Sequence, residues 1–208
     1  MKMENKRTKD KVADAATALF FQKGFHATSV RDIAQAAMVN VSLIHYYFKS
    51  KQGLLEYTII HYYETYLTYI DSQITQVAGK GETEQLKTLI EAMMRYKIER
   101  YELTYFIQRE LSIDSTFVRE LTVTYLAKEE HLLKRLFLEN PHIKQQKNKH
   151  ILYLQLKGMI VTPFQMKNEW EKHRLDAPSI DYFIRTYVEM VYLWLDYLFS
   201  NKNQYEKV

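Results

Sequence analysis

The scarcity of glycine and proline is the feature that most limits what this chain can fold into. Only 5 Gly and 3 Pro occur in 208 residues. Tight turns between strands depend on these two residue types, so a many-stranded protein would need more of them. A chain of this length can bury a substantial core without disulfides or metals. We therefore expect an all-α fold made of long helices with few connections.

Local signals mark helix boundaries in the N-terminal part. Apolar residues at helical spacing predict a first helix from Thr8, and Gly24 is a typical C-terminal cap. Ser29, with an acid three residues later, resembles a capping box that begins a short second helix. A turn over 38–40 leads to a third short helix at 41–47, and Ser50 caps a long helix over 51–77.

Breakers divide the rest of the chain. They are Gly79-Lys80-Gly81, Asn140-Pro141, Thr162-Pro163 and Asp176-Ala177-Pro178-Ser179. Between them, periodicity predicts helices over 82–111, 116–139 and 143–161, and a final helix from Ser179 to Phe199.

Positive charge is concentrated at the N-terminus. Residues 1–53 hold nine Lys or Arg and four Asp or Glu, a net charge of +5, while the remainder holds 20 basic and 21 acidic residues. A basic end on a balanced body is typical of a polyanion-binding head. A solvated lysine-rich terminus would have the same composition.

Two short helices joined by a tight turn inside this basic segment indicate a helix-turn-helix. The exposed face of its second helix would carry Asn40, Val41, Ser42, Leu43, His45 and Tyr46. Such side chains read base edges by hydrogen bonds and thymine-methyl contacts, while Ile44, Tyr47 and Phe48 would pack inside. Thr28 and Ser29, near a helix N-terminus, could hold one phosphate and Lys51 another.

The same segment carries a family resemblance. It resembles the TetR signature through Lys-Gly-Phe (23–25), Thr-Ser-Val (28–30), Ile-Ala (33–34), Tyr-Phe (47–48), Ser-Lys (50–51) and Leu-Leu (54–55). The resemblance implies a DNA-binding domain over 1–53 and an all-helical regulatory and dimerisation domain over 54–208. It further implies a homodimer on a palindromic DNA operator, with base contacts at Val41, Ser42 and Leu43.

Three positions depart from the family pattern. Met38 and Ser42 stand where the family often has Gly, and His45 stands where it often has a phosphate-contacting Tyr. We therefore expect a slightly different turn and a weaker or pH-sensitive contact from His45.

The last helix is rich in aromatic and aliphatic residues. Because the resemblance requires two DNA-reading heads, we expect this helix to form a dimer seam rather than the core of a monomer. The predicted interface residues are Tyr187, Val191, Trp194, Leu195 and Leu198. An Asp at Leu195 should then break the dimer.

The middle of the chain could respond to a ligand or a partner. The candidate region comprises Met94, Tyr101, Tyr105, Arg109 and Glu110. An aromatic and Met-rich cluster can line an apolar pocket, and a filled core is an equally good interpretation. The charged members could instead belong to a protein-binding surface or simply be solvated.

Several functions are disfavoured. The chain has no Cys, which rules out disulfides and thiolate chemistry, and its seven His include no HxxxH pair. Without a catalytic motif we expect no enzyme, no cofactor and no metal. Without a long apolar run we expect no membrane contact. We expect a cytoplasmic protein that is associated with the nucleoid through its DNA.

Over its whole length the chain also resembles a family member that regulates FtsZ-ring assembly in endospore-forming bacteria. That implies a role in cell division, septation and sporulation, with a division protein such as FtsZ as partner. The alternative is a conventional repressor that a small apolar ligand releases from its operator.

Overall fold

The structure is a computed structural model that describes residues 2–110, 116–166, 168, 172–173 and 176–200. Every regular element within these residues is helical, so the all-α prediction is confirmed.

The N-terminal elements follow the predicted boundaries closely except for α1, which begins at Lys2 and not at Thr8. They are α1 (Lys2–Lys23), α2 (Val30–Ala36), α3 (Val41–Phe48) and α4 (Lys51–Gln76). The remaining elements are α5 (Glu82–Glu99), α6 (Tyr101–Glu110), α7 (Thr116–Leu121), a π-helical turn (Thr122–Leu126), α8 (Ala127–Leu138), α9 (Lys149–Val161), a 3₁₀ turn (Thr162–Phe164) and α10 (Ile180–Ser200).

The chain divides into two compact units. The first comprises Met1–Thr65 and Tyr101–Leu121, and its α1 packs against α6 through aromatic side chains. Phe20 stacks on Phe106 with ring centroids 5.3 Å apart, and Phe21 meets Tyr105 edge-on at 5.6 Å. The burial of apolar area holds α6 against α1, and aromatic pairs of this kind also favour one arrangement of the rings.

The second unit comprises Tyr66–Arg100 and Thr122–Val208. Its α5 packs against α8, α9 and α10. The Lys97 ammonium lies 2.7 Å from Glu129 in a pair whose side chains are 4% and 15% exposed. Arg95 joins Asp181 at 2.8 Å, which ties α5 to the start of α10.

Three later predicted helices are also wrong in detail. The helix expected over 82–111 is interrupted at Arg100, whose backbone leaves the helical region and whose guanidinium lies 4.0 Å from the Tyr96 ring centroid. The helix expected from 143 begins at Lys149, because buried Asn140 holds the preceding turns through His142 N–H and Thr83. The helix expected over 116–139 contains the π-helical turn.

The compact units group the chain differently from the predicted boundary at residue 53. The first unit continues to Thr65 in α4 and also includes α6. Which residues form the DNA-binding and regulatory domains remains a prediction.

Candidate nucleic-acid interface

Helix α2 begins at the predicted capping box. The Asp32 backbone N–H donates to Ser29 Oγ at 3.1 Å, and the Ser29 N–H donates to Asp32 Oδ2 at 3.0 Å. The hydrogen bond from the Ser29 backbone N–H, and after it one from the Ser29 side chain, lower the pKa of the Asp32 carboxyl below its usual value. The box fixes the direction of α2, and with it the start of the turn that follows.

The turn between α2 and α3 uses a left-handed residue. Met38 has φ +52°, and the Val39 N–H donates to the Ala34 carbonyl at 2.9 Å. The Asn40 side chain then caps α3 by accepting the Ser42 N–H and hydroxyl, both at 2.8 Å. This fixes where α3 begins and leaves its first turn at the surface.

Helix α3 has one face for packing and one for contact. Ile44 and Phe48 are buried, whereas Ser42, His45 and Tyr46 are exposed, Tyr46 to 77%. Val41, Leu43 and Tyr47 are half-buried and Asn40 is exposed. His45 Nδ1 lies 3.2 Å from the Lys49 carbonyl oxygen. Because a carbonyl oxygen only accepts, Nδ1 carries the proton and donates it there, which leaves Nε2 for other contacts.

The C-terminal end of α3 is seated closely on α4. The Phe48 ring meets Tyr57 edge-on at 5.1 Å, and Ser50 Oγ caps α4 by accepting the Gly53 N–H at 3.0 Å. A Cβ on Gly53 would lie only 2.2 Å from the Phe48 carbonyl oxygen. Glycine therefore permits the approach that positions α3.

Two predicted phosphate contacts require correction. Thr28 is 1% exposed, and its hydroxyl donates to the Gly24 carbonyl at 2.8 Å. The Lys51 ammonium donates to the Phe25 and Thr28 carbonyls, each at 2.8 Å, and lies 4.4 Å from the Phe25 ring centroid. Both side chains hold the loop between α1 and α2, a tertiary role that neighbours in sequence do not reveal.

The sequence did not predict that Lys9 packs against aromatic rings at this site. Lys9 Nζ lies 5.7 Å from the Tyr47 ring centroid and 5.5 Å from that of Tyr57. These distances suit cation–π attraction, so Lys9 links α1 to α3 and α4. The sequence gives only its charge, which fits a backbone-contacting arm or a solvated tail equally well.

Three of the five predicted dimer residues need correction, and Tyr187 and Trp194 stay predictions. Val191, Leu195 and Leu198 are buried in the core of the second unit, Tyr187 is half-buried, and Trp194 stacks on Phe137. The large apolar side chains that α9 and α10 expose are different ones. They are Ile151 and Leu154 on α9, and Ile180, Tyr182, Met190, Leu193 and Tyr197 on α10.

The structure does not gather the candidate ligand or partner residues in one unit. Met94 is buried in the second unit, whereas Tyr101, Tyr105, Arg109 and Glu110 belong to the first. Tyr101 is buried, Tyr105 and Glu110 are half-buried, and Arg109 is exposed. Both tyrosine rings contact Phe21.

A capped helix-turn-helix with a polar, exposed recognition face defines a DNA-binding regulator, and comparisons with known proteins agree. Residues 12–58 match the family described as bacterial regulatory proteins, tetR family. The probable HTH-type transcriptional regulator YttP of Bacillus subtilis is 34% identical over 194 residues, covering 92% of this chain and 94% of the relative. HbdR of Aromatoleum sp. is 33% identical over 85 residues, 41% of this chain and 35% of that protein. The chain belongs to the TetR family.

Solved structures share the fold. A TetR-like regulator from Rhodococcus sp. RHA1 has a TM-score of 0.67 at 17% identity, covering 91% of this chain and 96% of that one. FadR from Bacillus subtilis, solved in complex with stearoyl-CoA, has a TM-score of 0.63 at 19% identity, with 86% and 95% covered. Members of this family are DNA-binding regulators that act as dimers and are not enzymes. Among the described helices, none is both long and apolar enough to cross a membrane.

Proposed function

We propose that this protein is a homodimeric regulator that reads a palindromic DNA site with α3. The observation that carries the proposal is the two-sided character of α3, whose Ile44 and Phe48 anchor it while Ser42, His45 and Tyr46 are presented outward. In this arrangement the N-terminal residues Val41, Ser42 and Leu43 contact bases. Asn40 and Ser29 contact the bases or the DNA backbone nearby. The exposed ring nitrogen of His45 and the hydroxyl of Tyr46 do the same.

The second copy of the chain would pack on the exposed apolar face of α9 and α10. Met190, Leu193 and Tyr197 follow one another at helical spacing along α10, as do Ile151 and Leu154 on α9. Gly158 continues the α9 stripe, with no heavy atom within 4 Å of the position its Cβ would occupy. A broad apolar face on two neighbouring helices is what an isologous four-helix seam requires.

The DNA-binding part is tested by capturing genomic fragments with the wild-type protein and titrating a captured duplex at fixed salt. Tyr46→Ala should weaken binding about tenfold without loss of helicity. The residue is 77% exposed, and its ring meets only the edge of neighbouring Tyr47, with centroids 5.1 Å apart. Tyr46→Phe keeps the ring and reports the hydroxyl alone. Unchanged affinity in Tyr46→Ala would refute this placement of the side chain, and failure of the wild-type to retain any fragment would refute the function.

The dimer surface is tested by sedimentation of matched variants. Leu193→Asp changes a side chain that is 60% exposed, so the protomer should stay folded and sediment as a monomer. Val123→Asp, at an exposed apolar residue of the second unit outside α9 and α10, should remain a dimer. A dimeric Leu193→Asp protein would reject the interface. Leu195→Asp should fail to fold and not merely dissociate, because Leu195 is in the core.

For the biological role, we propose control of cell division from chromosomal sites, in the manner of RefZ, which the whole chain resembles. The DNA would place a nucleoid-associated dimer whose helical body contacts a division protein such as FtsZ. The alternative is a conventional repressor released by a small apolar ligand; it is favoured by the fold shared with a FadR protein that binds stearoyl-CoA.

The positions of the captured fragments separate these two roles. A few strong sites at defined chromosomal positions away from promoters support the division role. Sites confined to promoters, together with release from DNA by long-chain acyl-CoA, support the ligand-responsive repressor and reject the division role.

A further inference from the structure

Met38 combines a costly backbone conformation with an unpacked side chain. Its φ of +52° lies in the left-handed region, where a Cβ crowds the backbone and glycine is favoured. Among the described residues other than glycine, only Met38 and Lys49, the C-cap of α3, have a positive φ. A residue in this conformation calls for a compensating benefit elsewhere.

The folded protein supplies little such benefit. The Met38 side chain is 78% exposed, the largest exposed fraction of any large apolar residue in the described part of the chain. The backbone of Met38 is used, since its N–H donates to the Gln35 carbonyl at 3.0 Å, but a glycine or asparagine would make the same bond. An exposed apolar side chain gains its free energy only when something apolar covers it.

The position of Met38 indicates what covers it. It precedes the N-cap Asn40 by two residues, so the two Cα atoms are at most about 7.6 Å apart. If the first turn of α3 enters a major groove, the duplex passes over this turn, where an unbranched methionine can adapt to an irregular surface. The apolar groups that DNA offers within such reach are thymine C5-methyl groups and deoxyribose carbons.

We propose that Met38 is a DNA-contacting residue whose side chain is buried against an apolar surface of the duplex beside the recognition helix. This inference rests on the proposed DNA-binding function and adds a contact from the turn that the polar face of α3 does not include. The contact carries no charge, so it contributes affinity without neutralising a phosphate. The unfavourable backbone conformation is then retained because the methionine is needed in the complex.

The test uses Met38→Gly and Met38→Asn in the full-length protein, with a duplex recovered by wild-type genomic capture as the probe. Both replacements tolerate the left-handed conformation and remove the apolar side chain. Each variant should melt higher than wild-type without DNA and bind the duplex about five- to tenfold more weakly. The slope of log affinity against log salt should stay unchanged, because no phosphate contact is lost.

Opposite changes in stability and affinity are the signature of this role. A variant that melts higher and binds as tightly as wild-type overturns the proposal, as does one that binds more weakly with a reduced salt slope. If the wild-type retains no duplex at all, it is the DNA-binding function that fails. Lys49→Asn is a comparison variant at the other described non-glycine residue with positive φ. It removes an exposed charge beside α3, so its salt slope is free to fall, whereas the Met38-dependent contact should stay intact.

Uracil in place of thymine distinguishes the two apolar sources. If a methyl group is the partner, removing it weakens wild-type binding but has no effect on Met38→Gly. If deoxyribose is the partner, uracil duplexes bind both proteins as thymine duplexes do, while the loss caused by Met38→Gly persists.

Discussion

Replacing Gly53 by Ala sets two effects of known sign against each other. In the interior of an ordinary helix, Gly to Ala stabilises by about 1 kcal/mol, because alanine restricts the unfolded chain and favours the helix. At position 53, however, the new Cβ would lie 2.2 Å from the Phe48 carbonyl oxygen. An ordinary contact needs about 3.4 Å, so the backbone at the α3–α4 junction must shift by about an ångström, a distortion that costs about 2–3 kcal/mol.

The net expectation is a protein destabilised by about 1–2 kcal/mol. In a chain of this size that lowers Tm by about 2–8 °C. Because the distortion falls where α3 is seated, DNA affinity should fall as well. Thermal unfolding followed by circular dichroism measures the first effect, and titration of a captured duplex measures the second.

Gly158→Ala is the matched control. Gly158 also lies within a helix, but its Cβ would meet no heavy atom within 4 Å. Because Gly158 lies on the proposed dimer face, both glycine variants are melted in the monomeric Leu193→Asp background. There Gly158→Ala should gain the helix propensity of alanine and melt slightly higher than its parent. If Gly53→Ala rises in Tm by as much as Gly158→Ala, the close approach to Phe48 does not constrain the protein and the reasoning fails.

Three further variants probe buried and partly buried groups. Lys51→Met should lower the free energy of unfolding by about 1.5–3 kcal/mol in urea denaturation, since two loop carbonyls lose a charged donor. The slope of log DNA affinity against log salt should stay unchanged. A slope reduced by about 0.9 would show that Lys51 contacts a phosphate after all. Lys97→Met should cost about 3–5 kcal/mol by leaving Glu129 buried without its partner, and Lys97→Met combined with Glu129→Leu should recover most of that loss; no recovery would contradict the assignment. Burial raises the pKa of Tyr187 in the folded protein to about 12, against about 10 in the unfolded chain. The contribution of Tyr187 to the free energy of unfolding is therefore full below pH 10 and is lost as the pH rises through 12. Tyr187→Phe should therefore lose less stability than wild-type between pH 10 and 12, and parallel curves would count against this.

The helix starts that a side chain caps were predictable because capping is local chemistry, whereas those of α1 and α9 were not. Ser29, Asn40, Ser50 and Ser179 each accept a backbone N–H two or three residues ahead, as their positions before apolar runs indicated. The all-α class follows from the scarcity of Gly and Pro for a similarly local reason. These parts of the fold need no knowledge of distant contacts.

The roles that sequence reasoning missed depend on distant contacts or on helix orientation. Lys51 reaches the Thr28 carbonyl, 23 residues away, and only the folded chain shows that its ammonium is engaged there. On α10, Leu193 and Leu195 are equally apolar, and the sequence does not say which side faces the protomer's own core. A helix with apolar residues on two sides leaves that choice to tertiary packing.

The inward side of α10 has a consequence for how the regulator responds to its own abundance. Val191, Leu195 and Leu198 complete a core within one protomer, so folding does not have to wait for a partner. If the dimer forms through the outward side, as proposed, pairing is an equilibrium between folded subunits. At concentrations below its dissociation constant the amount of dimer then grows with the square of the amount of protein. Halving expression in that range would leave about a quarter of the dimers, so occupancy of the DNA site would report gene dosage steeply even without an effector.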